Sequence, residues 1–364
     1  MTDQADLKKT PLFEEHFALK ARLIPFGGWL MPVQYEGILA EYESARNAVA
    51  LFDTSHMGEF VIEGDCLKSR LDYLLTQSID EMPLKTGRYG FLLNSQGGVI
   101  DDLIVFREDL KKWFIVVNGA TTTKDAEHFR KSLSEGAVFK DISLQTGKLD
   151  IQGPKAREVL KSFLDDIEKL DYFTFDYFDL LGNNVLISRT GYTGELGYEI
   201  FCPWVKTKDL WQAFLENKKV KPAGLGARDV LRCEMGYSLY GHELNEQITP
   251  IECGLSRFID LKKDFLGKEA LLKQKDIKGK AIGMVSITRR SPRAEQKIYS
   301  KDGQKIGVVT SGTFSPYLKK GIGLGYLSQQ GYPKGESILF GDDDAKHEAV
   351  ISERVFYKNG SLKN

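Results

Sequence analysis

The 364-residue sequence has no excess of charge of either sign. Its 50 Lys and Arg residues nearly cancel its 51 Asp and Glu residues, which leaves a net charge of −1 at pH 7. A general nucleic-acid-binding protein carries a basic excess or a basic face, so this balance argues against one. No apolar run approaches the length of a membrane span, and residues 1–9 contain no apolar signal core or Arg-rich leader. We therefore expect a cytoplasmic protein without a membrane or nucleic-acid partner.

The sequence is also poor in metal-ligating and nucleophilic patterns. Its four cysteines form no C-x-x-C pair and do not stand beside histidine at a zinc spacing, so they predict buried or incidental thiols in a reducing compartment. It contains no G-x-S-x-G elbow and no H-E-x-x-H motif. His56, in the turn-like segment 53–58, is either an acid–base group or a structural histidine, and the structural role is favoured. We expect no metal centre.

Two adjacent carboxylates stand in the middle of an apolar segment, residues 97–105. Gly97 and Gly98 permit a tight turn, and the residues after them have the composition of a strand. Because strand side chains alternate between faces, we expect Asp101 and Asp102 to point to opposite sides and not to share one proton. Burying an ionised carboxylate is costly unless it is paired. Either both carboxylates are structural, which the residues alone favour, or one of them enters a pocket. Their spacing does not show whether that one is Asp101 or Asp102.

Two other segments place an isolated charge among small residues. Glu199 begins an apolar strand after the glycine-rich residues 189–198, and a fixed carboxylate can accept two parallel hydrogen bonds from a flat N–H edge, such as Arg or a pterin ring. Arg228 follows small residues in the first turn of a predicted helix, where a cation opposes the helix dipole and requires an anionic or carbonyl partner. The structural alternatives are a glycine-rich turn and an internal ion pair.

Hydrophobic periodicity predicts a chain that mixes helices and strands. The predicted helices lie near residues 12–23, 36–49, 67–75, 123–133, 153–164, 206–215, 225–235 and 268–275. The predicted strands before residue 205 lie near residues 59–62, 88–93, 99–105, 113–117, 144–151, 175–181, 184–189 and 198–202. After a lysine-rich stretch at 262–280, which we interpret as a solvated face, short strands separated by Gly and Pro turns predict a small barrel or jelly roll.

Taken together, these segments resemble the aminomethyltransferase family, the T-proteins of the glycine cleavage system. The resemblance covers nearly the whole chain, through residues 10–13, 26–29, 52–58, 97–105, 152–154, 188–194, 222–229, 239–241, 310–312 and 315–316. Several long motifs in this order are specific, whereas one alone would not be. The resemblance implies an α+β fold, a three-domain cloverleaf of mainly antiparallel sheets with flanking helices.

The same resemblance implies how the domains divide the chain. Residues 1–51 and 141–277 would form a discontinuous folate-binding domain, residues 52–140 an inserted α+β domain, and residues 278–364 a small C-terminal β-barrel or jelly-roll domain. The implied activity transfers the one-carbon unit of an aminomethyl group from the lipoyl arm of H-protein to tetrahydrofolate. Its products would be 5,10-methylenetetrahydrofolate, ammonia and dihydrolipoyl H-protein.

The resemblance also assigns the candidate site residues. Asp102 would be the catalytic carboxylate near the folate N10, while Asp101 would be structural support on the other face. Glu199 would bind the amino-pyrimidine edge of the pterin, and Arg228 would be a further polar folate anchor. The positions that match the lining of the same site are Tyr89, Asn118, Tyr192, Tyr237 and Met57.

Two alternatives share this fold. A tetrahydrofolate-dependent demethylase is disfavoured by the intact segment 97–105, and a non-enzymatic folate-binding iron–sulfur assembly factor is disfavoured because residues 231–237 do not fit its Lys-Gly-Cys-x-x-Gly-Gln-Glu motif. The chain departs from the family at Arg257, where many members have Trp. The resemblance therefore does not extend to the packing contact that an indole would make there.

Overall fold

The computed structural model describes residues 6–274, 279–328, 331–342 and 344–362. Within these ranges the helices are α1 (Phe13–Ala18), α2 (Ile38–Asn47), α3 (Leu71–Leu74), α4 (Thr122–Ser132), α5 (Ala156–Leu160), α6 (Thr207–Leu215), α7 (Leu225–Glu234) and α8 (Lys268–Lys273). The strands are β1 (Arg22–Phe26), β2 (Trp29–Gln34), β3 (Val49–Asp53), β4 (Gly58–Glu63), β5 (Gly87–Leu93), β6 (Val99–Asp109), β7 (Lys112–Val117), β8 (Val138–Asp141), β9 (Thr146–Gln152), β10 (Phe175–Leu180), β11 (Asn183–Ser188), β12 (Gly197–Pro203), β13 (Val220–Pro222), β14 (Lys280–Ser286), β15 (Lys297–Tyr299), β16 (Lys305–Ser315), β17 (Lys320–Leu327), β18 (Ser337–Asp342) and β19 (Ala345–Ser352).

A six-stranded sheet in the order β10-β11-β12-β9-β3-β13 carries the largest apolar core. Its pairs are antiparallel except for β13 beside β3. On one face, Leu149, Ile151 and Ile200 pack against Trp211 of α6. Strands β3 and β9 are neighbours in this sheet although almost a hundred residues separate them along the chain, so the residues between them are an insertion.

The inserted residues form a five-stranded antiparallel sheet in the order β5-β6-β7-β4-β8. One face packs against α4 through Ala126 and Phe129. The other face contributes Phe106 and Phe114 to a second cluster, which includes Phe201 of the six-stranded sheet. Strand β6 therefore lies between helix α4 on one side and the six-stranded sheet on the other.

The C-terminal strands form one closed barrel in the order β14-β17-β16-β15-β18-β19. Its interior is filled by apolar side chains such as Met284, Ile298 and Phe340. The predicted α+β class and the small C-terminal barrel are confirmed, and the closed strand order decides between a barrel and a jelly roll. The three-residue strand β15 was too short to be predicted from alternation.

Four predicted helices are shorter than their apolar patterns. The first ends at Ala18, because Lys20 has a left-handed backbone (φ 55°) and residues 22–26 pair with β2 instead. In place of a helix over 67–75 there is the four-residue α3, and in place of one over 153–164 there is the five-residue α5. The helix predicted at 268–275 ends at Lys273, and residues 275–278 lie outside the described residues.

Among the residues that the structure describes, no helix is long and apolar enough to cross a membrane.

Candidate active site

Asp102 lies on β6 on the face that points away from α4. It pairs across the strands with Phe91, and the residue is partly exposed. The hydroxyl of Tyr89 donates a hydrogen bond to Asp102 Oδ2 at 2.8 Å, and Asn118 Nδ2 donates one to Oδ1 at 2.8 Å. Burial, followed by the negative charge of Asp101, raises the pKa of Asp102 to about 7. The site thus holds a fixed carboxyl group that changes charge near neutral pH.

Asp101 leaves the same strand on the opposite face, as strand alternation predicts. It is fully buried and accepts hydrogen bonds from the Asn118 backbone N–H at 3.0 Å, from Asn118 Nδ2 at 2.9 Å and from the Thr121 hydroxyl at 2.8 Å. Asn118 Nδ2 therefore donates to both carboxylates. The two carboxylates do not form a hydrogen-bonded dyad, but they are coupled through this amide and through their charges.

Two stacked tyrosine rings lie beside a cationic side chain. Tyr192 and Tyr237 are stacked, with ring centroids 5.6 Å apart and an interplanar angle of 26°. The guanidinium of Arg228 lies 5.0 Å from the centre of the Tyr192 ring. Burial is the main cause that raises the pKa of Tyr192, and the charge of Asp102 contributes to the increase. Aromatic faces of this kind suit a flat ligand.

Glu199 lies in β12, and its carboxylate contacts a buried lysine. Lys148 Nζ lies 2.6 Å from Glu199 Oε1, and the Thr190 hydroxyl donates a hydrogen bond to Oε2. The Glu199 side chain is 8% exposed. Each carboxylate oxygen can accept two hydrogen bonds, so each retains acceptor capacity beyond its internal partner. The carboxylate is therefore fixed in orientation and can still accept from a flat N–H edge.

Arg228 forms the internal ion pair that was the structural alternative for it. Its Nη1 lies 2.8 Å from Asp150 Oδ2, and Asp150 Oδ1 lies 2.6 Å from Lys148 Nζ. Burial opposes the charge on Asp150, but the two cations outweigh this effect and lower its pKa. The four groups Lys148, Asp150, Glu199 and Arg228 thus form a charge-balanced network, and Arg228 remains partly exposed at its edge.

Packing explains why glycine stands at two positions of residues 189–198. A Cβ on Gly191 would lie 2.1 Å from Gln152 Oε1, and one on Gly197 would lie 2.2 Å from the same atom. Gln152 is fully buried, donates to the Thr190 carbonyl at 3.2 Å and accepts from the Thr193 hydroxyl at 2.9 Å. These glycines allow the Gln152 side chain to hold the loop that carries Thr190, the partner of Glu199.

Met57 and His56 differ in their exposure. Met57 is partly buried and packs in the cluster that contains Phe114 and Phe201, and Lys148 Nζ lies 5.5 Å from the Phe201 ring centre. His56 is buried, and burial is the main cause that lowers its pKa to about 4, so it is neutral at pH 7. This environment favours the structural role expected for His56.

Sequence reasoning missed Lys148 and Asp150. Both lie on β9, where Lys148, Asp150 and Gln152 alternate with Leu149 and Ile151. This period-2 pattern of charged and apolar residues in a strand was a signal that one face carries polar contacts. The partners of these charges are 51 residues away at Glu199 and 78 residues away at Arg228, which no local pattern reveals.

Arg257, the position that departs from the family pattern, is exposed. Its guanidinium lies 4.6 Å from the centre of the Phe258 ring, and that ring packs edge-on against Tyr89 at 4.7 Å. Arg257 is therefore separated by one ring from Tyr89, the partner of Asp102.

Among the described residues, no group of three or more His, Cys, Asp or Glu side chains is arranged to hold a metal ion.

Two family models of the glycine cleavage T-protein together match most of the chain. Residues 12–263 match the GCVT N-terminal domain, and residues 273–358 match the glycine cleavage T-protein C-terminal barrel domain. The aminomethyltransferase of Pseudothermotoga lettingae is 41% identical over 364 residues, which covers 98% of this chain and 100% of that protein. The aminomethyltransferase of Caldanaerobacter subterraneus is 42% identical over 370 residues, with 98% of each chain covered.

A solved structure agrees with these matches. The crystal structure of the glycine cleavage system aminomethyltransferase T from Bartonella henselae superposes with a TM-score of 0.90 at 30% sequence identity. The superposition covers 97% of this chain and 99% of that one. The similarity therefore extends over the inserted sheet and the barrel as well as the six-stranded sheet.

Proposed function

The chain belongs to the glycine cleavage T-protein family of aminomethyltransferases, and we propose that it transfers the one-carbon unit of an aminomethyl group from the lipoyl arm of an H-protein to tetrahydrofolate. The products would be 5,10-methylenetetrahydrofolate, ammonia and dihydrolipoyl H-protein. One arrangement carries the proposal. The carboxylate of Asp102 is held by two hydrogen bonds, and its charge acts on Tyr192. Tyr192 stacks on Tyr237 and lies beside Arg228, which belongs to the charged network that contains Glu199.

The residues present fit a folate. The two oxygens of Glu199, held by Lys148 and Thr190, would accept hydrogen bonds from the amino-pyrimidine edge of the pterin. Arg228, fixed by one nitrogen to Asp150, keeps further N–H groups as donors for a folate carbonyl or carboxylate. Tyrosine faces suit the flat rings between these polar ends. The residues assigned to the remaining lining are Tyr89, Asn118, Tyr192, Tyr237 and Met57.

Asp102 is the proposed catalytic residue. Its carboxylate would hydrogen-bond near the folate N10 and orient the acceptor so that N5 faces the donor carbon. As ammonia leaves, positive charge develops on that carbon, and a nearby fixed negative charge stabilises it. Tyr89 and Asn118 hold the carboxylate in one position, which supplies the placement on which such transfers depend.

Two further parts of the proposal concern the whole chain. The strand order supports a discontinuous first domain, because β3 and β9 flank the insertion and pair directly with each other. We propose the division into residues 1–51 with 141–277, 52–140 and 278–364 on this basis. The cytoplasmic location expected from the sequence stays a prediction.

The test supplies the purified protein with aminomethylated H-protein and tetrahydrofolate and measures ammonia release. We expect release that depends on both substrates, with 5,10-methylenetetrahydrofolate formed in equal amount. Parallel reactions offer methylated amine or sulfur donors in place of H-protein. Turnover of those donors without turnover of H-protein would overturn the proposal in favour of a demethylase. Folate binding without any turnover would instead indicate a binding protein.

A further inference from the structure

Asp125, in the first turn of α4, is a buried carboxyl group without a hydrogen-bond donor. Its exposed fraction is 0%, and neither carboxyl oxygen has a hydrogen-bond partner among the described residues. The ammonium of the adjacent Lys124 does not bond to it, but contacts the Ile100 carbonyl, the Tyr240 hydroxyl and Glu246. An ionised carboxylate in this position would lose its hydration without compensation. The side chain is therefore expected to carry a proton.

The partner for that proton is Asp101. Asp101 accepts a hydrogen bond from the Thr121 hydroxyl, and the Thr121 carbonyl accepts one from the Asp125 backbone N–H, so the two carboxyl groups are neighbours where β6 packs against α4. Burial and then the charge of Asp101 raise the pKa of Asp125 to about 10. Asp101 accepts three hydrogen bonds from Asn118 and Thr121, whereas Asp125 accepts none of this kind. The negative charge consequently belongs on Asp101 and the proton on Asp125.

We propose that Asp125 is a positioning residue, which as a neutral acid donates a hydrogen bond to Asp101 and so completes a chain from Asp125 through Asp101 and Asn118 to Asp102. Asn118 Nδ2 bonds both aspartates of β6, so its position depends on where Asp101 is held. Asp125 also connects this series of hydrogen bonds to a well-packed helix, because α4 buries Phe129 and Ala126 in the core. The proposal rests on the role proposed above for Asp102.

The kinetic test compares two substitutions of nearly equal size. Asp125→Asn retains an N–H donor for Asp101, so we expect kcat within about threefold of the wild type. Asp125→Val removes the donor, and we expect kcat to fall by roughly 10- to 100-fold, the range for a small misplacement of a catalytic group. KM for tetrahydrofolate should change little in both, because Glu199 and Arg228 anchor the folate from other elements. Equal kcat for Asp125→Val and the wild type would overturn the proposal, as would equal losses in both variants.

A spectroscopic test does not depend on activity or on the role of Asp102. Infrared difference spectra at pH 8.5 between the wild type and Asp125→Asn should contain the carbonyl band of a protonated carboxylic acid. The same band should remain in Asp102→Asn. Its absence from the difference spectrum would mean that Asp125 is ionised and would overturn the proposal. If Asp102→Asn instead keeps full activity while the band is present, the function proposed for Asp102 fails and the protonation of Asp125 stands.

Discussion

At the scale of single residues, Asp102 is distinguished by a charge change close to pH 7. Its pKa is raised to about 7 by burial and by Asp101, so the carboxylate form is populated above pH 7 and lost below it. If the carboxylate is the active form, kcat should rise with pH through a midpoint near 7. Asp101→Asn removes the neighbouring charge and should lower that midpoint by about one unit.

The control for this pH profile is Asp109→Asn. Asp109 is an exposed residue at the far end of the same strand, so its charge is distant from Asp102 and screened by solvent. The pH midpoint of kcat in Asp109→Asn, measured between pH 5.5 and 9, should equal that of the wild type. A midpoint that does not move in Asp101→Asn would contradict the coupling between the two carboxylates.

Glu199 gives a prediction about binding. Glu199→Gln removes one acceptor oxygen and the negative charge between Lys148 and the proposed pterin edge, so tetrahydrofolate affinity should fall by about tenfold or more. A fluorescence titration measures the change. Asp102→Asn is the matched comparison, because it neutralises a site carboxylate without touching the pterin end, and it should bind within tenfold of the wild type. Unaltered affinity in Glu199→Gln would remove Glu199 from the folate contacts.

The sequence and its family resemblance predicted most side chains of the candidate site, but not how they are held. The segment 97–105 indicated that Asp101 and Asp102 face apart, and the structure agrees. Which of them faces the candidate site came only from the family resemblance. Lys148, Asp150 and Asp125 were missed, because their partners are brought together by strand register and by helix packing, which depend on distant parts of the chain.

At the scale of elements, the glycines before and within β12 are explained by one side chain. Gly197→Ala would bring a Cβ to 2.2 Å from Gln152 Oε1 and force this buried amide out of its hydrogen bonds to Thr190 and Thr193. We expect a loss of about 1–3 kcal/mol in the free energy of unfolding. Denaturant titration measures it.

Two variants sharpen that prediction. Gly279→Ala places its Cβ no closer than 3.5 Å to Leu327 O, an ordinary contact, and should change stability by about 0.5 kcal/mol or less. Combining Gly197→Ala with Gln152→Ala should cost less than the sum of the two single changes, because the clash is gone. Simple additivity would show that Gln152 is not the reason for glycine at this position.

The elements also show where periodicity misleads. The apolar stripe that predicted a helix to residue 23 includes Leu23, which lies in β1 and pairs with Pro32 of β2. A helix cannot pass Lys20, whose left-handed backbone reverses the chain. Short apolar runs fit either period, and the contacts that decide between them are tertiary. The longer helices α2, α4, α6 and α7 were predicted to within about two residues of their observed ends.

At the scale of the whole molecule, Arg46 joins three distant parts of the chain. From α2 it contacts Glu195 at 2.8 Å and Glu234 of α7 at 2.8 Å, and its guanidinium lies 3.7 Å from the Tyr357 ring centre near the C-terminus. Arg46→Met would leave two buried carboxylates without their cation. We expect the free energy of unfolding to fall by about 3–5 kcal/mol.

The matched control is Lys221→Met, which breaks the 2.8 Å pair with Glu36 on the surface. Because both partners are half exposed, the loss should be about 1 kcal/mol or less. Thermal and denaturant unfolding of the two variants measure the difference. Equal small losses in both would mean that the Arg46 contacts do not hold the C-terminal segment and α7 together.

The role of Asp102 is tested most directly by following ammonia release from aminomethylated H-protein and tetrahydrofolate by the wild type and by Asp102→Asn at pH 8. We expect the variant to bind tetrahydrofolate within tenfold of the wild type but to release ammonia slower by ~10² or more, the usual loss for a charge-stabilising group. Unchanged release by Asp102→Asn would show that the one-carbon transfer proceeds without this carboxylate, and the role proposed for Asp102 would be wrong.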